Sequence, residues 1–473
     1  MTGRGRPLAT FIVTSVALFM SSLDNLVVTM ALPAIKTHLH ASLSSLEWTV
    51  NAYTLTFAVL LLPGATLGDR FGRKKMFMVG LSIFTLASAL AALSTTAGEL
   101  VAARALQGVG GAILTPLTLT LLSVAVPPAR RGLALGAWGA IAGLAIAVGP
   151  VVGGAIVEGA SWSWIFWLNV PIGVALLPVA GRLLKESHGP AAKLDAVGTG
   201  LATAGLFSVV LGLVKANDWG WGSSSIIGLF VIGVVFLAAF VRWETRAAHP
   251  VLPLRLFRNR GFTASNVASL FMFFGMFGAI FLLAQFLQVA HHYSPLSAGV
   301  RTLPWTAMPI FVAPVAGLLS DRIGSRRIVA AGLFLQAMGL YWLAVTATPT
   351  VPYLHIVPGL ALSGFGMALF FAPVANLVLS SVRHEEQGIA SGAHNAIREL
   401  GGVLGVAVLA SVFAHYGSYQ SAQAFTDGVV PAVKLGALIV ALGGVAALVI
   451  PRRPVSSPEP ELIDISNLEP SAA

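Results

Sequence analysis

The sequence predicts an all-α polytopic membrane protein with fourteen transmembrane helices: two six-helix bundles and two further helices inserted between them. Three observations lead to this prediction. The 473 residues are 56% hydrophobic and only 10% charged, with a mean hydropathy of +0.85, whereas a soluble protein carries about a quarter charged residues. Apolar runs of about 20 residues, long enough to cross a bilayer, recur along the chain. A basic loop motif occurs twice, at equivalent places in the series of runs.

The apolar runs and the turn residues between them predict the position of each helix. The predicted helices span 8–32, 47–67, 76–95, 99–124, 132–158, 163–182, 195–215, 223–241, 262–290, 296–319, 327–347, 353–381, 388–415 and 430–451. The tail after Pro454 is rich in proline, serine and acidic residues, and is therefore predicted to be a disordered end.

Topology follows from the distribution of basic residues, which favour cytoplasmic loops. If the N-terminus is cytoplasmic, most of the 28 lysines and arginines fall on the cytoplasmic side. The predicted outer side holds only Lys36, Lys215, Arg301 and Lys434. An even number of crossings then places both termini in the cytoplasm, and the predicted location is the cell membrane.

An internal repeat divides the chain. "LGDRFGRKK" at 67–75 is similar to "LSDRIGSRR" at 319–327, and the two loops join helices 2 and 3 and helices 10 and 11. Repeated halves are the architecture of many secondary transporters, which bind substrate between the repeats. The predicted domains are an N-terminal bundle (1–190), two inserted helices (191–250), a C-terminal bundle (251–453) and a cytoplasmic tail (454–473).

The composition also argues against several other functions. The net charge of +10 is mostly topology signal facing anionic lipid, so no nucleic-acid partner is expected. The absence of cysteine excludes disulfides, thiolate metal sites and cysteine nucleophiles. No phosphate-binding GxxxxGK[ST] loop occurs, which excludes a self-powered nucleotide pump. His291 and His292 are adjacent, which is poor metal geometry, so neither a metal nor a cofactor is expected.

Asp24 raises the main functional question, because an ionised carboxylate inside a membrane bundle is costly unless it is paired or hydrated. Helix 1 runs outward and helix 4 runs inward, which brings Asp24 and Arg104 to similar depths, about 5 Å apart along the membrane normal. Burial favours the neutral acid, whereas a nearby arginine favours the carboxylate. We therefore predict that Asp24 couples transport to protons and that Arg104 tunes it. The alternative is a static buried ion pair.

Glu399, beside Arg398 in helix 13, is a second candidate for proton coupling. A purely structural pair with Arg398, or a network with Asn395, is the alternative interpretation.

Aromatic residues on helices 9 and 10 suggest a pocket for bulky apolar ligands. The alternative is that most of these rings face lipid or the core. Candidate substrate-binding residues are Asn25, Asn51, Tyr53, Phe277, Phe281, Gln285, Gln288, Trp305, Asn395 and Arg398. Either a single cation balanced by Asp24 or a neutral polycyclic molecule would suit such a site.

Several motifs together give the chain a close resemblance to the major facilitator superfamily, and within it to the fourteen-helix drug:proton antiporters. The motifs are "LDNLVVTMALP" (23–33), "LGDRFGRKK" (67–75), "RALQGVGGA" (104–112), "GLAIAVGPVVGG" (143–154), "WSWIFWLNVPIG" (162–173), "SPLSAGVRTLP" (294–304) and "GIASGAHNAIRELGGVLG" (388–405). Ala65 and Ser163 depart from the family pattern, which usually has Gly and Arg there.

The resemblance implies the major facilitator fold and export of hydrophobic drugs, antibiotics or related natural products by alternating access, driven by a proton gradient without a cofactor. It implies that Gly143, Gly149, Pro150, Gly153 and Gly154 form an antiporter-motif helix at the interface between halves. The signature loop suggests a conformational latch in which the Asp69 carboxylate bonds a helix N-terminus and pairs with arginine. The latch residues are Asp69, Arg70, Arg73, Arg131 and Asp321.

Other functions remain open at this point. Within transport, the alternatives are a dedicated metabolite or lipid exporter and a proton symporter of the same fold. An intramembrane enzyme would need catalytic groups clustered in one cavity, and the sequence indicates none. We therefore expect a monomeric transporter whose partners are a small hydrophobic substrate, protons and the lipid bilayer.

Overall fold

The computed structural model describes residues 7–189, 195–383 and 386–451, and fourteen helices within these ranges are long and apolar enough to cross a membrane. This confirms the predicted fold class. The helices are α1 (Pro7–His38), α2 (Leu43–Phe71), α3 (Arg73–Ala92), α4 (Ala97–Ala125), α5 (Pro128–Gly159), α6 (Trp164–Trp167 and Asn169–Leu183), α7 (Ala196–Trp219), α8 (Ser224–Glu244), α9 (Arg260–Gln285), α10 (Pro295–Arg301, Leu303–Thr306 and Met308–Ile323), α11 (Ser325–Thr346), α12 (Tyr353–Ser380), α13 (Gln387–Tyr416) and α14 (Ala422–Leu448).

The predicted ends of the first two helices were wrong. The sequence predicted 8–32 and 47–67, but α1 continues to His38 and α2 begins at Leu43. Hydropathy marks the stretch that lies in lipid, whereas a helix continues until a cap or a turn ends it. For α2 that cap is Ser42, whose side chain accepts a hydrogen bond from the amide of Ser45.

Two predicted helices are interrupted. Helix 10 consists of three segments, and Pro304 and Pro309 lie in the first turns of the second and third. Proline lacks an amide donor, so the regular hydrogen-bond ladder breaks before it. Helix 6 is divided at Leu168. Helix α9 continues as one turn of π-helix at Phe286–Ala290.

The repeated loop has the same backbone geometry in both halves. Gly72 joins α2 to α3 with φ of 104°, and Gly324 joins α10 to α11 with φ of 90°. Both angles lie in a region that side chains disfavour, so glycine is needed at each turn. The sequence repeat therefore corresponds to a structural repeat.

Packing among the described residues places two bundles side by side. Helices α1–α6 pack mainly on one another, as do α9–α14, while α5 packs on α10 and α2 packs on α13 across the interface. Inserted helix α7 packs on α2 and α13 as well as on α8. The outer surface of α8 is apolar and exposed, for example at Val231, Val234 and Val235, as expected for a helix facing lipid.

Candidate functional site

Asp24 lies in the N-terminal bundle and is 3% exposed. Nη1 of Arg104 donates to its Oδ2 at 2.5 Å. Its Oδ1 accepts from Nε2 of Gln107 and from Nδ2 of Asn169, each at 2.8 Å. Helices α4 and α6 thus supply three donors to one carboxylate on α1, and hydrogen bonds to an ionised group are the stronger kind.

Arg104 is fully buried, and its guanidinium has several partners. Nε donates to the carbonyl oxygen of Thr49 at 3.1 Å, and Nη1 also donates to Oε1 of Gln107 at 2.6 Å. The guanidinium carbon lies 4.4 Å from the centre of the Tyr53 ring, a cation–π geometry. Nη2 has no hydrogen-bond partner among the described residues, so this arginine retains one buried donor.

The interactions at Asp24 define what the site can do chemically. A proton arriving on the carboxylate would cancel the charge that Arg104 balances, and the arginine would then need a new partner. An unpaired buried charge is costly, so protonation favours a rearrangement that hydrates Arg104 or offers Nη2 an acceptor. The predicted pairing of Asp24 with Arg104 is therefore present in the structure; its predicted role in proton coupling remains a prediction.

Asp24 and Arg104 pair as predicted, although the predicted ends of their helices were inaccurate. Asp24 lies fourteen residues before the end of α1 at His38, and Arg104 lies seven residues after the start of α4 at Ala97. Helix α1 continues past residue 32, where the predicted span ended, to His38. Counting from the apolar run therefore placed both groups at similar depths more accurately than counting from the true ends does.

Sequence reasoning missed three neutral members of this site. Gln107, Asn169 and Ser88 are buried, and Oγ of Ser88 accepts from the amides of Gln107 at 2.9 Å and Asn169 at 3.4 Å. Gln107 is three residues after Arg104, so the two share a helix face. That spacing was a usable signal for Gln107, whereas nothing local distinguished Asn169 or Ser88.

The second predicted group lies in the C-terminal bundle. Nη1 of Arg398 donates to Oδ1 of Asn395 at 2.9 Å, and its guanidinium lies 4.4 Å from the centre of the Phe273 ring. Glu399 has no salt bridge to Arg398 among the described residues. It lies within electrostatic range of Arg398 and of Tyr53, and Tyr53 also stacks on Arg104. Tyr53 is thus a neighbour of both candidate carboxylates.

The structure does not gather the other substrate candidates into one pocket. Phe281, Gln285 and Trp305 are fully buried inside the C-terminal bundle. The Gln285 side chain bonds the Phe281 carbonyl and the Tyr419 hydroxyl. Phe277 stacks on Phe273 with ring centres 5.9 Å apart.

The remaining two asparagine candidates and Gln288 lie on or against the N-terminal bundle. Asn25 has a buried side-chain oxygen without a partner among the described residues, and Asn51 has neither its oxygen nor its nitrogen paired there. Nε2 of Gln288 donates across the interface to the carbonyl oxygen of Met30 at 3.1 Å.

Helix α5 is packed tightly against its neighbours near Gly149, Gly153 and Gly154, and less tightly near Gly139 and Gly143. A Cβ added at Gly153 would lie 2.8 Å from the Val27 carbonyl oxygen, and one at Gly154 would collide with the Pro295 carbonyl. A Cβ at Gly149 would lie 2.8 Å from that of Leu26, and Pro150 meets Gly299 of α10.

Gly139 and Gly143, towards the other end, face open space. This conformation is therefore closed between α5 and α10 at the end that holds Gly153 and Gly154, which is the predicted extracellular side.

Three hydrogen bonds between the halves accompany this closure. Oε2 of Glu158 accepts from the amide of Leu296 at 3.0 Å, at the N-terminus of α10. The Thr306 hydroxyl donates to the Ala147 carbonyl at 3.2 Å. The Gln288–Met30 bond is the third.

At the signature loop, Asp69 pairs with an arginine, and no helix amide bonds its carboxylate among the described residues, so the latch contact with a helix N-terminus stays a prediction. Its Oδ1 accepts from Nε of Arg73 at 2.8 Å. The carboxylate that caps α3 belongs to Glu186, which accepts from the amides of Lys74 at 2.9 Å and Lys75 at 3.1 Å. Arg70 lies over the Phe71 ring. The side chains of Arg131 and Asp321 lie outside the described part of the structure.

The fold and the site together define a class: a polytopic helical membrane transporter with two repeated bundles and a buried carboxylate–arginine pair beside their interface. The sequence model of the Major Facilitator Superfamily matches residues 14–406, with a further match to 266–463. The chain therefore belongs to the Major Facilitator Superfamily.

Curated relatives of this chain include proteins named for export and for drug resistance. The tetracenomycin C resistance and export protein of Streptomyces glaucescens is 35% identical over 416 residues, covering 87% of this chain and 77% of that protein. The multidrug export protein EmrB of Escherichia coli is 31% identical over 423 residues, covering 89% and 82%. A crystal structure of the peptide transporter POT in complex with sulfate superimposes with a TM-score of 0.68 at 16% identity, over 96% of this chain and 97% of that one, which supports the fold.

Proposed function

We propose that this protein exports hydrophobic drugs, antibiotics or related natural products in exchange for protons. The observation that carries the proposal is the buried Asp24 carboxylate, held by three donors from two other helices. A carboxylate in this position can exchange its ion pair with Arg104 for a proton. The names of the relatives support export as the direction of transport.

The transport cycle follows from the conformation. Substrate enters from the cytoplasm while α5 and α10 are packed together near Gly154. Opening of the extracellular side releases the substrate and exposes Asp24 to external protons. Protonation removes the charge that holds Arg104, and the protein returns inward to release the proton. Both termini lie in the cytoplasm in this scheme, and the transporter works as a monomer without a cofactor or enzymatic step.

A cluster of aromatic rings in the C-terminal bundle supports an apolar substrate. Phe273 and Phe277 of α9 stack on each other, and the ring of Phe371 on α12 packs edge-on against Phe273. Flat aromatic faces suit polycyclic molecules, and Arg398 over the Phe273 ring adds one polar contact. A binding surface of this kind accepts varied ligands, because stacking depends little on the pattern of substituents.

Purified protein in vesicles with a trapped pH-sensitive dye tests the proposal. The vesicle interior is made acidic. Protein molecules whose cytoplasmic side faces outward should then carry added lipophilic compounds into the vesicle and internal protons out of it, so the interior becomes more alkaline. Asp24→Asn should abolish this flux. Asp427→Asn is the matched control, because Asp427 is exposed and its side chain accepts a hydrogen bond from Gln423, its sole partner among the described residues.

The outcomes separate the alternatives. Proton release driven by added compound and lost in Asp24→Asn supports antiport and identifies the substrate class. Movement of compound and protons in the same direction would indicate a symporter. A response to a single metabolite or to a lipid alone would indicate a dedicated exporter. Compound movement without proton flux in either protein would contradict the proposal.

A further inference from the structure

A second buried carboxyl group lies near the outer end of α2. Glu47 is 2% exposed, although it is in the second turn of a helix that begins at Leu43. Its Oε2 is buried and has no hydrogen-bond partner among the described residues. No salt bridge within that part of the chain includes it. The site around Asp24 does not use this group.

Asn51, one helical turn further along, is in the same condition. It is fully buried, and neither its side-chain oxygen nor its nitrogen has a partner in the described structure. Residues four apart share one face of a helix, so the unpaired atoms of Glu47 and Asn51 lie on the same face. Buried polar groups are nearly always paired, and two such neighbours indicate a site whose partner is a proton or water rather than a protein side chain.

This face of α2 meets the inserted helices and the C-terminal bundle. The charged groups within electrostatic range of Glu47 are Lys215 and Asp218 on α7 and the hydroxyl of Tyr419 in the α13–α14 loop. Lys215 is already paired with Asp218 at 3.1 Å. Lys36 of α1 lies 4.6 Å from the centre of the Tyr419 ring. The N-terminal bundle, the inserted helix α7 and the α13–α14 loop of the C-terminal bundle therefore meet beside Glu47.

Other contacts show that this junction is closed. Nδ2 of Asn217 on α7 donates to the carbonyl oxygen of Ser411 on α13 at 2.8 Å. The Tyr419 hydroxyl bonds Gln285. Separation of the two bundles on the extracellular side would pull α2 away from the Tyr419 loop and admit water to Glu47.

We propose that Glu47 binds one proton from the extracellular side each time this junction closes, so that external acid favours the outward-closed state. An ionised carboxylate enclosed here would have no partner for its charge, and such burial is strongly unfavourable. Once the junction opens, water and Lys215 stabilise the carboxylate, and the proton leaves to the side from which it came. This proton is therefore a regulator of the conformational equilibrium, distinct from the one carried at Asp24.

The location separates the two carboxyl sites. The carbonyl oxygen of Thr49, two residues from Glu47, accepts from Arg104. Arg104 thus reaches the backbone of α2, whereas Glu47 makes no hydrogen bond from Oε2 and no salt bridge among the described residues, so the two carboxyl groups have separate surroundings. Glu158, the other acid at the closed extracellular side, would act with the opposite sign, because its protonation weakens the bond to Leu296 that closes the interface.

The test measures conformation and needs no substrate, so its result does not depend on whether the export assay succeeds. The chain contains no cysteine, so spin labels can be placed at Thr37→Cys and Gln420→Cys, two exposed positions on opposite bundles at the extracellular side. Distances are measured from pH 5 to pH 8 in the Asp24→Asn background, where residue 24 cannot titrate. The closed fraction should grow on acidification, by up to about tenfold in the closed-to-open ratio per pH unit.

Adding Glu47→Gln should remove this pH dependence and hold the extracellular side closed, because the amide stays neutral at every pH. Glu47→Asp retains a carboxyl group and should restore the dependence, which distinguishes titration from a folding defect. Asp427→Asn should behave like the background protein. Closure that still increases on acidification in Glu47→Gln would overturn the proposal, as would a background protein in which acid does not increase closure.

Discussion

The side-chain amide of Asn169 lies 2.8 Å from Oδ1 of Asp24, a contact between residues 145 positions apart in the sequence. It ties α6 to α1, while Gln107 and Arg104 tie α4 to the same carboxylate. The carboxylate on α1 is thereby held in one position by two helices, and its protonation alters contacts with both.

Replacing Asn169 with alanine should weaken proton coupling without abolishing it. Asp24 would lose one of three donors, and a hydrogen bond to a charged group contributes about 1.5–3 kcal/mol. We expect compound-driven proton flux to fall by roughly tenfold, which corresponds to about 1.4 kcal/mol. Ser88→Ala is the matched control, because Ser88 bonds the two amides but not Asp24, and it should have a smaller effect. Wild-type flux in Asn169→Ala would show that this contact does not act in coupling.

Gly154 offers a separate test of the closed interface. Alanine at this position would collide with the Pro295 carbonyl and push α5 away from α10. Overpacking of this kind costs about 1–3 kcal/mol. The outward-open population should rise by about tenfold or more, seen as longer distances between labels at Thr37→Cys and Gln420→Cys. Gly143→Ala places the same methyl group in open space and should leave the distances unchanged. Equal distances in both variants would count against closure at Gly154.

Stability should fall on acidification because of His291, which lies just beyond the end of α9. Burial lowers the pKa of His291 below its usual value of 6.5, and its neighbour His292 adds to this, whereas a hydrogen bond to the Thr348 backbone opposes it. The folded protein therefore binds fewer protons than the unfolded chain as the pH falls through about 6.5, and stability is lost in that range.

His291→Asn should remove this part of the pH dependence when thermal midpoints are compared between pH 7.5 and pH 5.5. His292→Asn is the control at an exposed position and should retain it. An unchanged slope in His291→Asn would assign the effect to other groups.

The sequence predicted those site residues that differ most in polarity from their neighbours along the chain. Asp24 and Arg104 are charges within apolar runs, and antiparallel helices bring such charges to similar depths, so their pairing was predictable. Glu47 was placed at the first residue of predicted helix 2, where an acid would face water. The true helix begins at Leu43, and α7 and α13 pack over that position.

The rest of the site required tertiary packing. Asn169 follows a break in α6 at Leu168, and the break sets the direction of its side chain towards Asp24. No local pattern marks such a break in an otherwise apolar segment. Likewise, the rings of Phe281 and Trp305 were predicted to bind substrate, but both are buried inside the C-terminal bundle. The direction that a side chain takes from a buried helix depends on which neighbouring helices surround it.

The energetic coupling between Asp24 and Arg104 gives the last prediction. Each residue is almost fully buried, so removing either partner leaves an uncompensated charge, at a cost of about 3–5 kcal/mol. Asp24→Asn and Arg104→Gln should therefore each lower the thermal midpoint of the purified protein. The double variant contains neither charge, so its midpoint should lie well above the value expected from adding the two losses.

The Arg255–Glu386 pair is the control for this cycle, because its nitrogen–oxygen distance is 3.2 Å but Arg255 is 60% exposed. An exposed pair contributes about 0–1 kcal/mol, so Arg255→Gln and Glu386→Gln should be nearly additive. Additive losses at Asp24 and Arg104 would mean that water already compensates the charges. Loss of one charge would then cost little, whereas the proposed exchange of arginine for a proton requires that an unpaired buried charge be unfavourable.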